Sequence, residues 1–158
     1  MHVSSNRGFT IIELVMALVI IGILSASAMA LFSSRSGYSA FLAKDQFIAA
    51  ALQTQQIALA LESSTTPSSL TVALDSGNWV FTVNKETVPI TVLSSDAAGG
   101  SLTINGTTLT GSQSFSYNRS GSLTNNTNYT LVFTSGNSHT VCLAASGYAY
   151  SPASGNCL

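Results

Sequence analysis

From Phe9 to Phe32 the chain reads FTIIELVMALVIIGILSASAMALF, 24 residues that carry a single charge, Glu13. From Leu14 to Phe32 there are 19 residues with none. About 20 apolar residues wound as a helix match the thickness of a bilayer's hydrocarbon core. This run fixes what the first third of the chain can become, because it has to be covered by lipid or by protein. The segment before it, MHVSSNRG, is short and polar and carries Arg7. The positive-inside tendency leaves Arg7 cytoplasmic and sends the rest of the chain outward, although Arg35 on the far side votes the other way.

Glu13 divides the possible readings of the run. A cleaved secretory signal peptide has support from the A-x-A site Ala28-Met29-Ala30, but its apolar core is usually 7–15 residues and holds no acid. A plain single-pass anchor explains the length and leaves Glu13 unexplained. A carboxylate toward the middle of a bilayer costs about 2.5–3.5 kcal/mol even on lenient insertion scales. A third reading gives the carboxylate a task.

The residues Gly8-Phe9-Thr10-Ile11-Ile12-Glu13-Leu14 resemble the processing site of type IV prepilins. That family has a short polar leader with a basic residue, ending in Gly. An aromatic residue follows, and Glu is the fifth residue of the mature chain. Arg7, Gly8, Phe9 and Glu13 supply each element. The resemblance implies cleavage between Gly8 and Phe9 by a membrane-embedded prepilin peptidase, which also methylates the new amine of Phe9. The chain is then a substrate and not an enzyme, and no cofactor is implied. Its further partners are other pilins, in a homo- or hetero-filament, and the inner-membrane assembly machinery. In a filament core Glu13 of one subunit is expected to face the Phe9 ammonium of a neighbour. The attraction is strong in low dielectric, and an unpaired buried carboxylate costs several kcal/mol. Such a charge sets register, as buried polar groups do in coiled coils. Pairing with the chain's own Phe9 amine, four residues upstream, is the alternative. Main pilus subunits commonly carry a Pro about twenty residues into the helix. None occurs between Gly22 and Ala30, which points to a minor pilin or a pseudopilin.

Beyond the apolar run, Tyr38 to Leu61 reads YSAFLAKDQFIAAALQTQQIALAL. Phe41, Leu42, Ile48, Leu52 and Leu59 recur at amphipathic spacing among strong helix formers. The alanines between them permit close approach of a sheet or a second helix. Ser63-Ser64-Thr65-Thr66-Pro67 is a stop signal. One helix from Phe9 to Glu62 would be about 80 Å long at 1.5 Å per residue. Its expected break is Ser33-Ser34-Arg35-Ser36-Gly37, because Ser and Gly are poor in helix interiors.

Residues 67–158 alternate short apolar stretches with turn signals. Leu70–Leu74 and Trp79–Val83 flank Asp75-Ser76-Gly77-Asn78, a hairpin signature. Further strands are expected at 90–93, 102–104, 114–117, 129–133 and 140–143, and Asn105-Gly106 marks a tight turn. Seven strands at even spacing indicate an antiparallel sheet or double sheet, with the helix on one face. The stretch from Phe115 to Ser122, then Tyr129 to Phe133 and Val141 to Leu143, is similar to the C-terminal half of minor pilins and pseudopilins of the FimT and general-secretion H type. It is also similar to minor subunits of mannose-sensitive haemagglutinin pili. DNA-binding FimT-like proteins carry a basic C-terminal motif, whereas Ala144 to Leu158 holds no Lys or Arg. No nucleic-acid role is carried over.

Charged residues are 7% of the chain, against roughly 25% in soluble domains, and the net charge is −1. No basic cluster offers a footprint for nucleic acid. Cys142 and Cys157 are placed to close a C-terminal loop in an oxidising compartment, where disulfides persist. His139 belongs to no recognisable set of metal ligands, so no metal site is expected.

The expected fold class is α+β: a long N-terminal helix, apolar and membrane-spanning in its first half, packed on an antiparallel β head. Its parts are a leader (1–8), a transmembrane and filament-core helix (9–32), an amphipathic second half (33–66) and a β-rich periplasmic head (67–158). The resemblance implies a structural, minor subunit of a type IV pilus serving adhesion or pilus biogenesis. It is held first in a bacterial inner membrane and then on the cell surface. A type II secretion pseudopilin shares the same first 25 residues. A membrane-anchored adhesin that never polymerises is the reading from another class, and Gly8 and Glu13 argue against it. Mass spectrometry of the membrane-held protein is expected to find a methylated Phe9 at the N-terminus. An N-terminus at Leu31 would instead establish a signal peptide.

Overall fold

The computed structural model describes residues 10–32, 35–61, 67–153, 155 and 157, without side chains for 27–32, 35 and 36. The chain divides into two compact units, Met1–Ser34 and Arg35–Leu158. The first contains helix α1 (Ile11–Phe32), and the second opens with helix α2 (Arg35–Ala60). The break expected at residues 33–37 falls at this division, with Ser33 and Ser34 outside the described residues. Leu61 N–H donates to Ala58 O (3.3 Å), a tightened last turn at the end of α2. The stop signal at Ser63–Thr66 lies outside the described residues.

Strands β1 (Ser68–Asp75), β2 (Asn78–Lys85), β3 (Val88–Asp96) and β6 (Ser112–Tyr117) form one antiparallel sheet in the order β3-β2-β1-β6. Strands β4 (Ser101–Ile104), β5 (Thr107–Thr108), β7 (Tyr129–Ser135), β8 (Asn137–Leu143) and β9 (Ala149–Tyr150) form the other, in the order β5-β4-β7-β8-β9. Each of the seven expected strands lies within one of these. The two unforeseen ones, β5 and β9, are two residues each, too short to show a period. The β1–β2 hairpin closes through Ser76 (φ 50°) and Gly77 (φ 79°). Two positive-φ residues in a two-residue loop match the twist of the flanking strands, and Gly supplies this conformation without steric cost. Asn105 and Gly106 close β4–β5 in the same way.

Helix α2 packs against strands of both sheets. Phe47 is fully buried at its centre. Its ring lies 6.1 Å from each of Phe81 on β2, Phe115 on β6 and Phe133 on β7. Trp79 and Phe81 of the first sheet also meet Phe133 of the second, at 5.5 and 6.0 Å. Edge-on contacts at such distances add roughly 0.5–1.5 kcal/mol per pair beyond burial. The Tyr117 hydroxyl is buried with no partner among the described residues, and burial pushes its pKa up.

The buried face of α2 differs from the one the larger residues suggested. Ala40, Ala43, Phe47, Ala50, Ala51, Thr54 and Ala58 are fully buried, at helical spacings of three and four. Phe41, Leu52 and Leu59 are 42, 47 and 58% exposed. A sheet lying against a helix leaves room for methyl groups along most of the contact, so alanine takes the inner positions and the bulkier side chains point away. Thr54 fits this stripe because its hydroxyl donates back to Ala50 O at 2.7 Å.

Phe47→Ala is expected to cost about 3–5 kcal/mol in denaturant unfolding, through lost burial and the cavity left behind. Leu52→Ala, on the outer face, is expected to stay within about 0.5 kcal/mol of the parent.

Candidate functional site

The first unit offers an apolar helix with one acid. The large side chains of α1 from Ile11 to Leu24 are 48–84% exposed, and no polar face interrupts them. A helix that is apolar all round needs a cover of lipid or protein. Among the described residues no helix is long and apolar enough to cross a membrane; described side chains of α1 end at Ala26. Ser25 keeps the run apolar by donating its hydroxyl to Ile21 O at 2.7 Å.

Glu13 stands exposed in the first turn of α1. Its N–H donates to Thr10 O at 3.1 Å and to Thr10 Oγ1 at 3.3 Å. Thr10-x-x-Glu13 therefore forms the N-cap half of a capping box, with Thr10 satisfying one orphan donor. An acid here also meets the positive end of the helix dipole, worth about 0.3–1 kcal/mol. The arrangement was readable as a Thr three residues before a Glu at the head of an apolar run, a signal the prepilin resemblance overshadows. Gly8 and Phe9, the expected cleavage and methylation positions, lie outside the described residues.

The second candidate is the C-terminal loop. Cys142 on β8 and Cys157 are joined by a disulfide, 15 residues apart with a Cα–Cα distance of 5.5 Å. Within the loop β9 pairs with β8, Tyr150 opposite Cys142. Tyr148 and Tyr150 stack at 5.9 Å and 16°, and Tyr148 is 57% exposed. The loop is also tied to α2. Gln55 Nε2 donates to Ser146 O and Gly121 O, both at 3.1 Å. Gly147 is required at this crossing: its φ is +83°, and a Cβ there would stand 1.9 Å from Gly121 O. His139, on β8, lies edge-on to Phe41 at 5.6 Å. Among the described residues no group of three His, Cys, Asp or Glu is placed to hold a metal ion.

With this geometry in place, the likeness to known proteins can be located on the chain. Residues 3–29, which take in Gly8, Phe9 and most of α1, match the prokaryotic N-terminal methylation motif. No curated protein matches the sequence. Among solved structures, the chain is similar to the type IV minor pilin FimU of Pseudomonas aeruginosa (strain PAO1) in two crystal forms. In the P21 form the TM-score is 0.57 at 12% identity, over 79% of this chain and 95% of that chain. In the P65 form it is 0.52 at 12% identity, over 72% and 93%. At that identity the shared feature is the fold, a long N-terminal helix followed by an antiparallel head.

Thiol labelling of the unreduced, denatured protein is expected to find no free cysteine. Cys157→Ser is expected to lower stability by about 3 kcal/mol, the chain-entropy value for a loop of this length. Labelling at both positions would remove the bridge.

Proposed function

We propose that this type IV pilin-like chain is a structural subunit, of the minor kind, of a type IV pilus. It is not an enzyme. It is made as a prepilin, held in the bacterial inner membrane by its apolar helix, and cut by prepilin peptidase between Gly8 and Phe9. After methylation of Phe9 it joins other pilins, with the β head outward. The observation that carries the reading is the methylation motif on an all-round apolar helix whose single acid is Glu13. The head's likeness to a minor pilin and the absence of Pro in α1 favour the minor role.

The mechanism follows from the cost of burying charge. Cleavage creates an ammonium at Phe9, and methylation keeps it charged. When α1 enters a bundle of like helices, apolar packing alone leaves its height free, since one aliphatic turn resembles the next. Glu13 removes that freedom. Any height that leaves the carboxylate facing hydrocarbon costs several kcal/mol, and the height that places it against an ammonium recovers the loss. Before assembly, the Glu13 carboxylate stands exposed at the positive end of the helix dipole. Assembly then gives the exposed carboxylate a partner while its charge stays.

Two substitutions separate these roles. Glu13→Val makes the helix more apolar, so insertion and cleavage are expected to persist while the mature protein is missing from sheared filaments. Glu13→Gln keeps a residue competent for the capping box and removes the charge, and it is expected to fail in the same way. Entry of Glu13→Gln into filaments at the parent level, with filament number unchanged, would show that the charge sets no register.

A further inference from the structure

A shallow cleft of about 430 Å³ opens where the two sheets present their edges to each other. Strand β5 ends one sheet and strand β6 ends the other, and residues of both line the cleft. The Tyr117 end of β6 is occupied, since Ser116 O accepts from Thr124 N and Tyr117 bridges to Leu123. The Ser112 end remains open and lines the cleft. Thr107, Thr108 and Thr110 add exposed hydroxyls, and Tyr129 adds one aromatic ring. That ring is fixed: Phe115 meets it edge-on at 5.0 Å, and its hydroxyl is held by Asn125 Nδ2 at 2.5 Å. No lining residue is charged.

The chemistry of this lining selects a ligand class. With no cation it offers nothing to phosphate or sialic acid, and with no carboxylate nothing to a metal ion or an amine. Its density of hydroxyl and amide groups makes it a poor seat for a lipid chain, whose burial leaves polar groups unpaired. An extended peptide needs a strand edge long enough for several ladder bonds, and β5 provides two residues before Leu109 turns away, its N–H bonded to Leu102 O. Many neutral donors and acceptors around one rigid ring suit a molecule with the same character, hydroxyls on its rim and an apolar C–H face. We infer that this cleft is a binding site for a neutral saccharide. The volume falls in the range of small-molecule sites, roughly 300–1,000 Å³, and holds one or two sugar rings. The inference stands on the head alone and is independent of how α1 assembles.

The test uses the full chain in phosphatidylcholine nanodiscs, which present no sugar headgroups, on an array of neutral and sialylated oligosaccharides. Binding to neutral glycans is expected. Thr108→Val with Thr110→Val removes two hydroxyls at nearly constant shape and is expected to weaken that binding about tenfold. Gly111→Leu is expected to abolish it: Gly111 lines the cleft and a Cβ there meets nothing within 4 Å, so a side chain can start into open space. An unchanged melting temperature and an intact Cys142–Cys157 bridge identify these as losses at the site. The inference fails if no neutral glycan binds, if only sialylated glycans bind, or if both variants bind like the parent. Retention of an extended Thr-rich peptide in place of any glycan would also overturn it, assigning the cleft to strand pairing.

Discussion

The head depends on one side chain reaching across two sheets. Among the described residues Phe47 is the only large side chain of α2 that is fully buried, and it meets aromatic rings of β2, β6 and β7. The sheets do not share a strand. Their mutual anchorage is the layer of rings formed by Trp79, Phe81, Phe115 and Phe133, into which Phe47 inserts from the helix. Interiors are packed to the density of organic crystals, so this contact sets the spacing of helix and sheets together. The alanines above and below it follow as a consequence: once the helix axis is that close to the strands, only methyl-sized groups fit.

The head was legible where a local rule has a local cause. Asp75-Ser76-Gly77-Asn78 and Asn105-Gly106 became turns because positive φ is a property of one or two residues. The seven alternating stretches became strands because pleating is also local. The β2–β3 turn at Glu86-Thr87 announced itself poorly, since Glu86 adopts φ 57° without being Gly or Asn. The inner face of α2 was misleading for a different reason. Size ranks residues by how much they gain from burial, but the space available is set by the partner surface, which no sequence window contains. Phe41, Leu52 and Leu59 have the periodicity of a core and stay largely exposed at or beyond its margin, while Ile48 packs half-buried against it.

The candidate site was legible to unequal degrees. Cys142 and Cys157 are two cysteines in a chain with no others, and the bridge followed from compartment and spacing. Glu13 was conspicuous because an acid in an apolar run is costly, and that cost pointed to the prepilin resemblance. The Thr10 hydroxyl has a second, quieter employment, capping the backbone N–H of residue 13. The sugar-sized cleft gave no signal. It is made where Thr107–Thr110 meet Ser112 and Tyr129, and a Thr- and Ser-rich stretch reads as an ordinary solvated turn until the fold brings two sheet edges together.

The alanine stripe carries a consequence for how this molecule can diverge. A large core residue can shrink and leave a void that neighbours partly refill, so a lineage has somewhere to go. Alanine has almost nothing to lose except to glycine, which weakens the helix by about 1 kcal/mol. Every other exchange adds volume at a position that is already fully buried. Positions 40, 43, 50, 51 and 58 are thus closed to drift in both directions, while the exposed positions of the same helix, Leu52 among them, are freer to change. Two descendants of this chain would keep one side of α2 nearly letter for letter and share little on the other.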